Sequence, residues 1–310
     1  MSIFIFAFII TIVNCIFWLL FAFLMKQESM SKNHSDIPVT ILVCIKNGGE
    51  KIEPLVQALL NLEGNNEILL VDDFSTDKSW DIIASLSESN KTVKGIKSTI
   101  DIPGKKAALL QGFSMAQNDC IVCTDVDCLP VSSQWVRSMA NMSLKEKIVL
   151  GYAPLLRARG FLNAFSRFET AYIAIQYLSF AKLGNGHMSI GRNVLYPKKL
   201  VKAIKLEQLF PTIPSGDDDL LFQLIHSQEN TTISLDPNTF VYSQSKPNWS
   251  SYFNQKSRHL SSSKKYNTLR TWPLHLFSFS QIAFYSLCII GLFLNPLWIL
   301  NLFIIRTVIV

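Results

Sequence analysis

The chain has 310 residues, 49% of them hydrophobic, and Lys+Arg 29 against Asp+Glu 23 leave a formal net charge of +6. That modest charge gathers near the apolar ends, which points to anionic lipid headgroups rather than nucleic acid as the partner of the basic residues. Six cysteines are present; Cys120-x-x-Cys123 lacks a second Cys or His pair at zinc-site spacing, so they read as buried, reduced thiols.

Residues 3–25 carry no charged side chain. At ~1.5 Å of rise per residue the run reaches about 33 Å, enough to cross a bilayer core, and a transmembrane helix is predicted there. A cleaved leader fits poorly, because the run is longer than an apolar leader core and nothing basic precedes it. Lys26 and Lys32 follow directly, which by the positive-inside rule places the following chain in the cytoplasm, inside a cell (inner or plasma) membrane.

Residues 36–270 are long enough for one sizeable domain. Val39 to Ile45 is a short β-branched run ended by Lys46-Asn47-Gly48-Gly49, as expected of a buried strand and loop. Glu50 to Leu62 has helical spacing. A second strand over 67–71 ends in Asp72-Asp73-Phe74-Ser75-Thr76-Asp77, and a helix is expected over 78–86. A strand near 93–98, a helix over 105–115 and a strand over 120–124 follow, the last ending at Asp125-Val126-Asp127. Short apolar strands alternating with amphipathic helices imply an α/β fold, a Rossmann-like, mostly parallel sheet covered on both faces. Ligands gather at the strand ends of such sheets, and the polar clusters at 46–47, 72–77 and 125–127 point to one pocket.

Beyond Pro130 the pattern loosens. The stretch 157–183 carries Phe161, Phe165, Phe168, Tyr172 and Tyr177 among Arg157, Arg159, Arg167 and Lys182, and suits either an interfacial helix or ordinary core packing. Residues 274–294 are again uncharged, and the basic stretch before them (Lys256, Arg258, Lys264, Lys265, Arg270) makes them a second transmembrane helix entered from the cytoplasm, so that the chain is multi-pass. The apolar segment 297–310 is too short to span unaided, and reads as an interfacial helix or as part of a span continuing past Val310.

Several clusters can carry chemistry. A strand ending in D-x-D projects two carboxylates from one side of the backbone. Asp125 and Asp127 therefore suit a hard divalent cation, Mg2+ or Mn2+, bound together with phosphates. Asp72 and Asp73 fit either a solvated turn or hydrogen bonds to a nucleotide base or ribose. Lys105 and Lys106 lie at a helix N-terminus near which phosphate could sit, but Gly104-Lys105 lacks the upstream glycine of a P-loop, which excludes that ATPase motif. Asp217-Asp218-Asp219 either completes an ordinary helix start or crowds like charges enough to raise one pKa towards that of a general base. Gln255-Lys256-Ser257-Arg258-His259 fits lipid headgroups when considered alone.

In this order the clusters resemble the family 2 glycosyltransferases, over about residues 38–262. "VTILVCIKN" at 39–47, "LLVDDFSTD" at 69–77, "CTDVDCLP" at 123–130, Gly104-Lys105 with Ala108-Leu109, and Gly191-Arg192-Asn193 are similar to five motifs of that family. The resemblance implies a GT-A nucleotide-diphospho-sugar transferase domain. It implies donor contacts from Asp72, Asp73, Lys105, Asp125, Asn193, Gln255 and Arg258, a metal on Asp125 and Asp127, and a base at Asp218, with Asp217 and Asp219 as further candidates. Gln255 and Arg258 match the Q-x-x-R-W motif of the membrane synthases, whereas His259 stands in place of Trp, a departure from the processive polymer synthases. The implied partners are a nucleotide-diphosphate sugar donor, a lipid-linked or glycan acceptor and membrane lipids. A nucleotidyltransferase would want a glycine-rich basic loop after the first strand, which Lys46-Asn47-Gly48-Gly49 matches poorly. A non-catalytic membrane scaffold would have no need for the acids at 72–73, 125, 127 and 217–219.

Overall fold

A computed structural model describes residues 2–26, 36–99, 104–202, 204, 217–263 and 266–309. The chain divides into two compact units, residues 27–266 and a second formed by residues 1–26 with 267–310.

In the larger unit the chain runs through β1 (Val39–Ile45), α2 (Ile52–Leu60), β2 (Asn66–Asp72), α3 (Ser79–Ser89), β3 (Val93–Lys97), α4 (Lys105–Met115) and β4 (Cys120–Asp125). The four strands pair in parallel in the order β3-β2-β1-β4, as their unbroken apolar runs imply. After β1 the chain builds outward through β2 and β3, then returns to place β4 on the other side of β1. That reversal makes the β1/β4 boundary a topological switch point, where crevices form at strand ends. Register levels the ends: Ile45 lies opposite Asp72, and Cys44 opposite Asp125. Ile41, Val43, Ile52, Val56, Leu70 and Val122 are among the side chains that close the core.

The later elements are β5 (Cys128–Pro130), α5 (Trp135–Ser143), β6 (Ile148–Leu150), α6 (Phe161–Lys182), β7 (Val194–Pro197), α7 (Lys198–Lys202), α8 (Asp217–Ile225), β8 (Thr231–Ile233), β9 (Val241–Ser243) and α9 (Trp249–Ser263). Among the described residues β7, β6 and β8 extend the sheet to seven strands, with β7 antiparallel to both neighbours, and β5 pairs with β9. Three- and four-residue strands carry too little periodicity to be foreseen. Helix α6 divides: Phe161, Phe165 and Phe168 are exposed, whereas Ala174, Tyr177, Leu178 and Phe180 are buried, so core packing accounts for its second half.

The smaller unit holds α1 (Ser2–Leu24), α10 (Thr268–Leu294) and α11 (Pro296–Ile309). Residues 3–24 and 270–294 are long and apolar enough to cross a membrane. Pro273 lies inside α10. Buried Arg306 of α11 donates through Nε to Asn14 Oδ1 and through a terminal NH2 to Gln281 Oε1, each at 2.9 Å. One polar contact thereby ties the three helices together.

Candidate active site

The loops at the ends of β1 and β2 hold each other. Asn47 donates its amide to Ser75 Oγ at 2.9 Å and accepts from the Thr76 amide at 2.8 Å. Ser79 Oγ accepts from the amides of Gly48 and Gly49. Asp73 is buried, and its Oδ1 accepts from the Gly104 amide at 2.8 Å. Gly104 has φ 145°, a conformation that favours glycine, and it starts α4. Asp73 thus fixes the turn that delivers Lys105. Asp72 is buried too. Its Oδ2 accepts from the Ser75 amide at 3.4 Å, while its Oδ1 has no partner among the described residues.

Lys105 joins two carboxylates that lie 93 positions apart in sequence. Its Nζ is 2.8 Å from Asp125 Oδ1 and 3.2 Å from Asp218 Oδ2. Burial opposes the lysine's charge, but Asp125 and Asp218 outweigh it and hold the ammonium pKa well above the ordinary value. For Asp125 burial pushes upward, and Lys105, Arg192 and Arg258 together bring the carboxyl below its usual range. For Asp218 the balance reverses: burial and the neighbouring Asp125 charge win over Lys105, and its pKa is raised. The Asp218 side chain keeps 22% of its surface exposed, so a hydroxyl can reach it.

The three acids at the start of α8 separate in role. Asp219 accepts from the Ser189 amide at 3.3 Å and from the Tyr266 hydroxyl, and Ser189 Oγ donates to the Asp218 carbonyl at 3.1 Å. Asp219 therefore braces the turn, and Asp218 meets Lys105. Asp217 opens α8, and its side chain lies outside the described residues.

Asn193 departs from expectation. It is wholly buried, its Nδ2 donates to the carbonyls of Tyr152 and Thr239 at 2.8 Å, and its Oδ1 accepts from Trp135 Nε1 at 3.0 Å. With both amide hydrogens committed inward, it braces the segment and presents nothing to a donor sugar. Its neighbour Arg192, which sequence reasoning passed over, donates to the Ala153 carbonyl at 2.9 Å, and its charge lowers the pKa of Asp125. Adjacent residues of a turn point opposite ways, and the sequence does not disclose which of the two faces in.

On α9, Gln255 is half-buried and Arg258 lies one turn further along the same face. His259 keeps an exposed surface, and crowding around its ring together with the cations Arg258, Lys256, Arg192 and Lys105 pushes its pKa down.

The residues present fit a divalent cation. Ligand atoms of Asp125, Asp127 and Cys128 all lie within 4.8 Å of one another. Burial pushes the Cys128 thiol well up, which keeps it protonated. The hard-cation donors are then the two carboxylates, and the Lys105 ammonium on Asp125 shows that the place attracts positive charge.

The sequence model of glycosyl transferase family 2 matches residues 40–205. The chain belongs to that family. It is 39% identical over 80 residues to the uncharacterized glycosyltransferase YkoT of Bacillus subtilis, covering 25% of this chain and 23% of that protein. It is 32% identical over 114 residues to a beta-monoglucosyldiacylglycerol synthase of a Nostoc species, covering 36% of this chain and 24% of that protein. The chain thus matches about a quarter of the length of these curated relatives. Among solved structures, the mannosyltransferase PcManGT from Pyrobaculum calidifontis, in complex with GDP-Man and Mn2+, superposes with a TM-score of 0.64 at 15% identity over 99% of this chain and 91% of that one. Glucosyl-3-phosphoglycerate synthase from Mycobacterium tuberculosis, with Mn2+, uridine-diphosphate and glucosyl-3-phosphoglycerate, does so with a TM-score of 0.50 at 15% identity over 76% and 80%. The mostly parallel sheet is the GT-A fold expected from the motifs.

Proposed function

We propose that the chain is a membrane-anchored inverting glycosyltransferase that moves a sugar from a nucleotide-diphosphate sugar to a hydroxyl of a lipid-linked or glycan acceptor. The observation that carries this reading is the convergence of Asp125, Asp218 and Lys105 at the switch point of the sheet. Family membership and fold neighbours solved with GDP-Man or uridine-diphosphate support the donor class. They favour glycosyl over nucleotidyl transfer.

Asp218 is the base. Its raised pKa and its partial exposure suit it to take the proton of the acceptor hydroxyl. The hydroxyl oxygen then bonds to the anomeric carbon from the face opposite the diphosphate, the bond from that carbon to the diphosphate oxygen breaks, and the configuration inverts. Asp125 and Asp127 would hold Mg2+ or Mn2+, which would supply positive charge to the departing nucleoside diphosphate. Lys105, Arg192 and Arg258 add fixed positive charge on the same side. Asp72, one of whose buried oxygens has no partner among the described residues, contacts the nucleoside, and Asp73 acts through Gly104 on the position of Lys105. On this reading residues 3–24 and 270–294, long and apolar enough to cross a membrane, are the anchors, and the basic residues beside them favour a cytoplasmic catalytic unit.

The test is the full chain in detergent with a panel of nucleotide sugars and Mg2+ or Mn2+. Asp218→Asn is expected to abolish turnover while donor binding persists, and Asp127→Ala to lose metal-dependent donor binding. Unchanged turnover in Asp218→Asn removes that residue from the base role, and an unaltered metal response in Asp127→Ala sinks the metal assignment.

A further inference from the structure

Phe161 and Phe168 on α6 and Phe253 on α9 are 76%, 68% and 59% exposed, and Phe165 and Trp249 stand partly exposed between them. Four of these rings form a continuous ridge. Centroids are 6.3 Å apart for Phe161–Phe165 and Phe161–Trp249, and 5.8 Å for Phe165–Trp249 and Trp249–Phe253. Buried Tyr252 packs beneath, 5.9 Å from Phe165. The ridge is held in shape from below: Asn163 donates to the Leu156 carbonyl and to Ser245 Oγ, each at 2.9 Å, and accepts from the Ala158 amide at 2.8 Å. That contact locks the entrances of α6 and α9 together. A contiguous exposed aromatic patch on a fixed scaffold marks an interaction surface.

Its surroundings are basic. Arg157 and Arg159, just ahead of α6, and Arg167, on a neighbouring face of that helix, are exposed. The one acid on either helix, Glu169, is paired with Lys256 at 2.7 Å. From Pro237 to Val310 the sequence contains no Asp or Glu.

We infer that this ridge docks into the interfacial layer of an anionic bilayer, with its rings at the boundary of headgroups and acyl chains and Arg157, Arg159 and Arg167 on lipid phosphates. Aromatic rings flanked by arginine match that layer chemically. The rings are mostly phenylalanine, without the polar edge that a glycan-stacking platform uses, and the flanking charge is of one sign. The same chain carries two helices able to cross a membrane. Helix α9 bears the ridge at Trp249 and Phe253 and carries Arg258 about 14 Å beyond Trp249 and about 8 Å beyond Phe253. On the reading of Arg258 given above, one rigid helix therefore joins the bilayer contact to the donor site.

The test places the full chain in nanodiscs of phosphatidylglycerol or phosphatidylcholine, with a nitroxide on Phe253→Cys and, separately, on Phe161→Cys. Glu88→Cys, exposed on α3, serves as the water reference. The six native cysteines are buried or half-buried, and the unsubstituted chain sets the labelling background. In phosphatidylglycerol the two ridge labels are expected to collide with oxygen at least threefold more than with a water-soluble nickel complex, against the reverse at position 88. Replacing Arg157, Arg159 and Arg167 with Gln is expected to weaken that preference. Ridge labels as open to nickel as position 88 overturn the inference. So does a label shielded from both reagents, which would mean a protein partner. No sugar donor enters the measurement, so its outcome is separate from that of the transfer assay.

Discussion

Gly191 lies against the carboxylate of Asp218 so closely that a Cβ built on it would fall 1.8 Å from Asp218 Oδ2. The atoms it would strike belong to the end of a flexible side chain, so Gly191→Ala moves the carboxylate more readily than it disturbs the fold. A displacement of about 1 Å at a reacting group is enough to lower turnover roughly 100-fold. The expected result is that loss with a melting temperature within about 2 °C of the parent, the shift of a sub-kcal/mol change in a domain of this size. Full turnover in Gly191→Ala would remove Asp218 from contact with the acceptor.

Lys105 shares Asp125 with any divalent cation bound there. Taking away its charge relieves repulsion of a cation at the D-x-D carboxylates while removing a proposed partner of the diphosphate. Lys105→Met is expected to bind Mn2+ several-fold more tightly without donor, an effect of ~1 kcal/mol for a partly exposed pair, and to bind the donor more weakly. Titration calorimetry with Mn2+ alone and then with the nucleotide sugar separates the two. Unchanged Mn2+ affinity would mean that Lys105 leaves Asp125 freely and does not compete.

The parts of this site that were legible in the sequence are those carried by long apolar strands. Val39 to Ile45 and Cys120 to Asp125 leave little choice but parallel neighbours, and the acids after them must emerge at one edge. The contacts that cross the chain were not legible. Nothing local says that Asp219 will meet Tyr266, or that Asp73 will hold the turn before Lys105, because both pairings depend on how distant segments close. Helix α6 left its surroundings open for a different reason: aromatic residues recur along its whole length, while its burial changes halfway along.

As the proposed base, Asp218 is expected to set the pH response. A base works as the carboxylate, and a raised pKa means that it is lost to protonation at a higher pH than a free aspartate would be. The acid limb of kcat/KM is therefore expected above the ordinary aspartate range. In Lys105→Met it should move higher still, because the lysine charge is what draws the Asp218 pKa down. The effect on stability has the opposite sign for the two acids. Folding raises the Asp218 pKa, so its contribution to stability grows as pH falls through the folded value; the lowered value of Asp125 makes its contribution shrink as pH falls. An acid limb that stays in place in Lys105→Met would show that another group titrates.

Asn193 separates a brace from a ligand. Asn193→Ala strands Trp135 Nε1 and the carbonyls of Tyr152 and Thr239 in the interior. One uncompensated buried group costs about 1–3 kcal/mol, and the loss here should reach at least the top of that range. In a domain of this size that lowers the melting temperature by roughly 6–12 °C. Donor affinity measured well below the melt should stay within about threefold of the parent. A large loss of donor affinity at unchanged stability would return Asn193 to the donor site.

Arg306 tests whether the three apolar helices form one unit through a polar contact. Its guanidinium is buried on Asn14 and Gln281 and lies 5.0 Å from the Phe284 ring, so removing Asn14 leaves Nε facing hydrocarbon. Asn14→Leu alone and Arg306→Leu alone should each destabilise the chain in detergent. The double variant Asn14→Leu/Arg306→Leu should lose less than the two single losses combined, because an apolar pair leaves no Asn14–Arg306 hydrogen bond unmade. Couplings between polar groups in such helices run about 0.6–2 kcal/mol, which a double-mutant cycle on thermal unfolding in micelles resolves. Strict additivity would mean that Asn14 and Arg306 do not interact, and that ring packing such as Phe21 on Phe277, 5.1 Å apart, suffices to hold the helices.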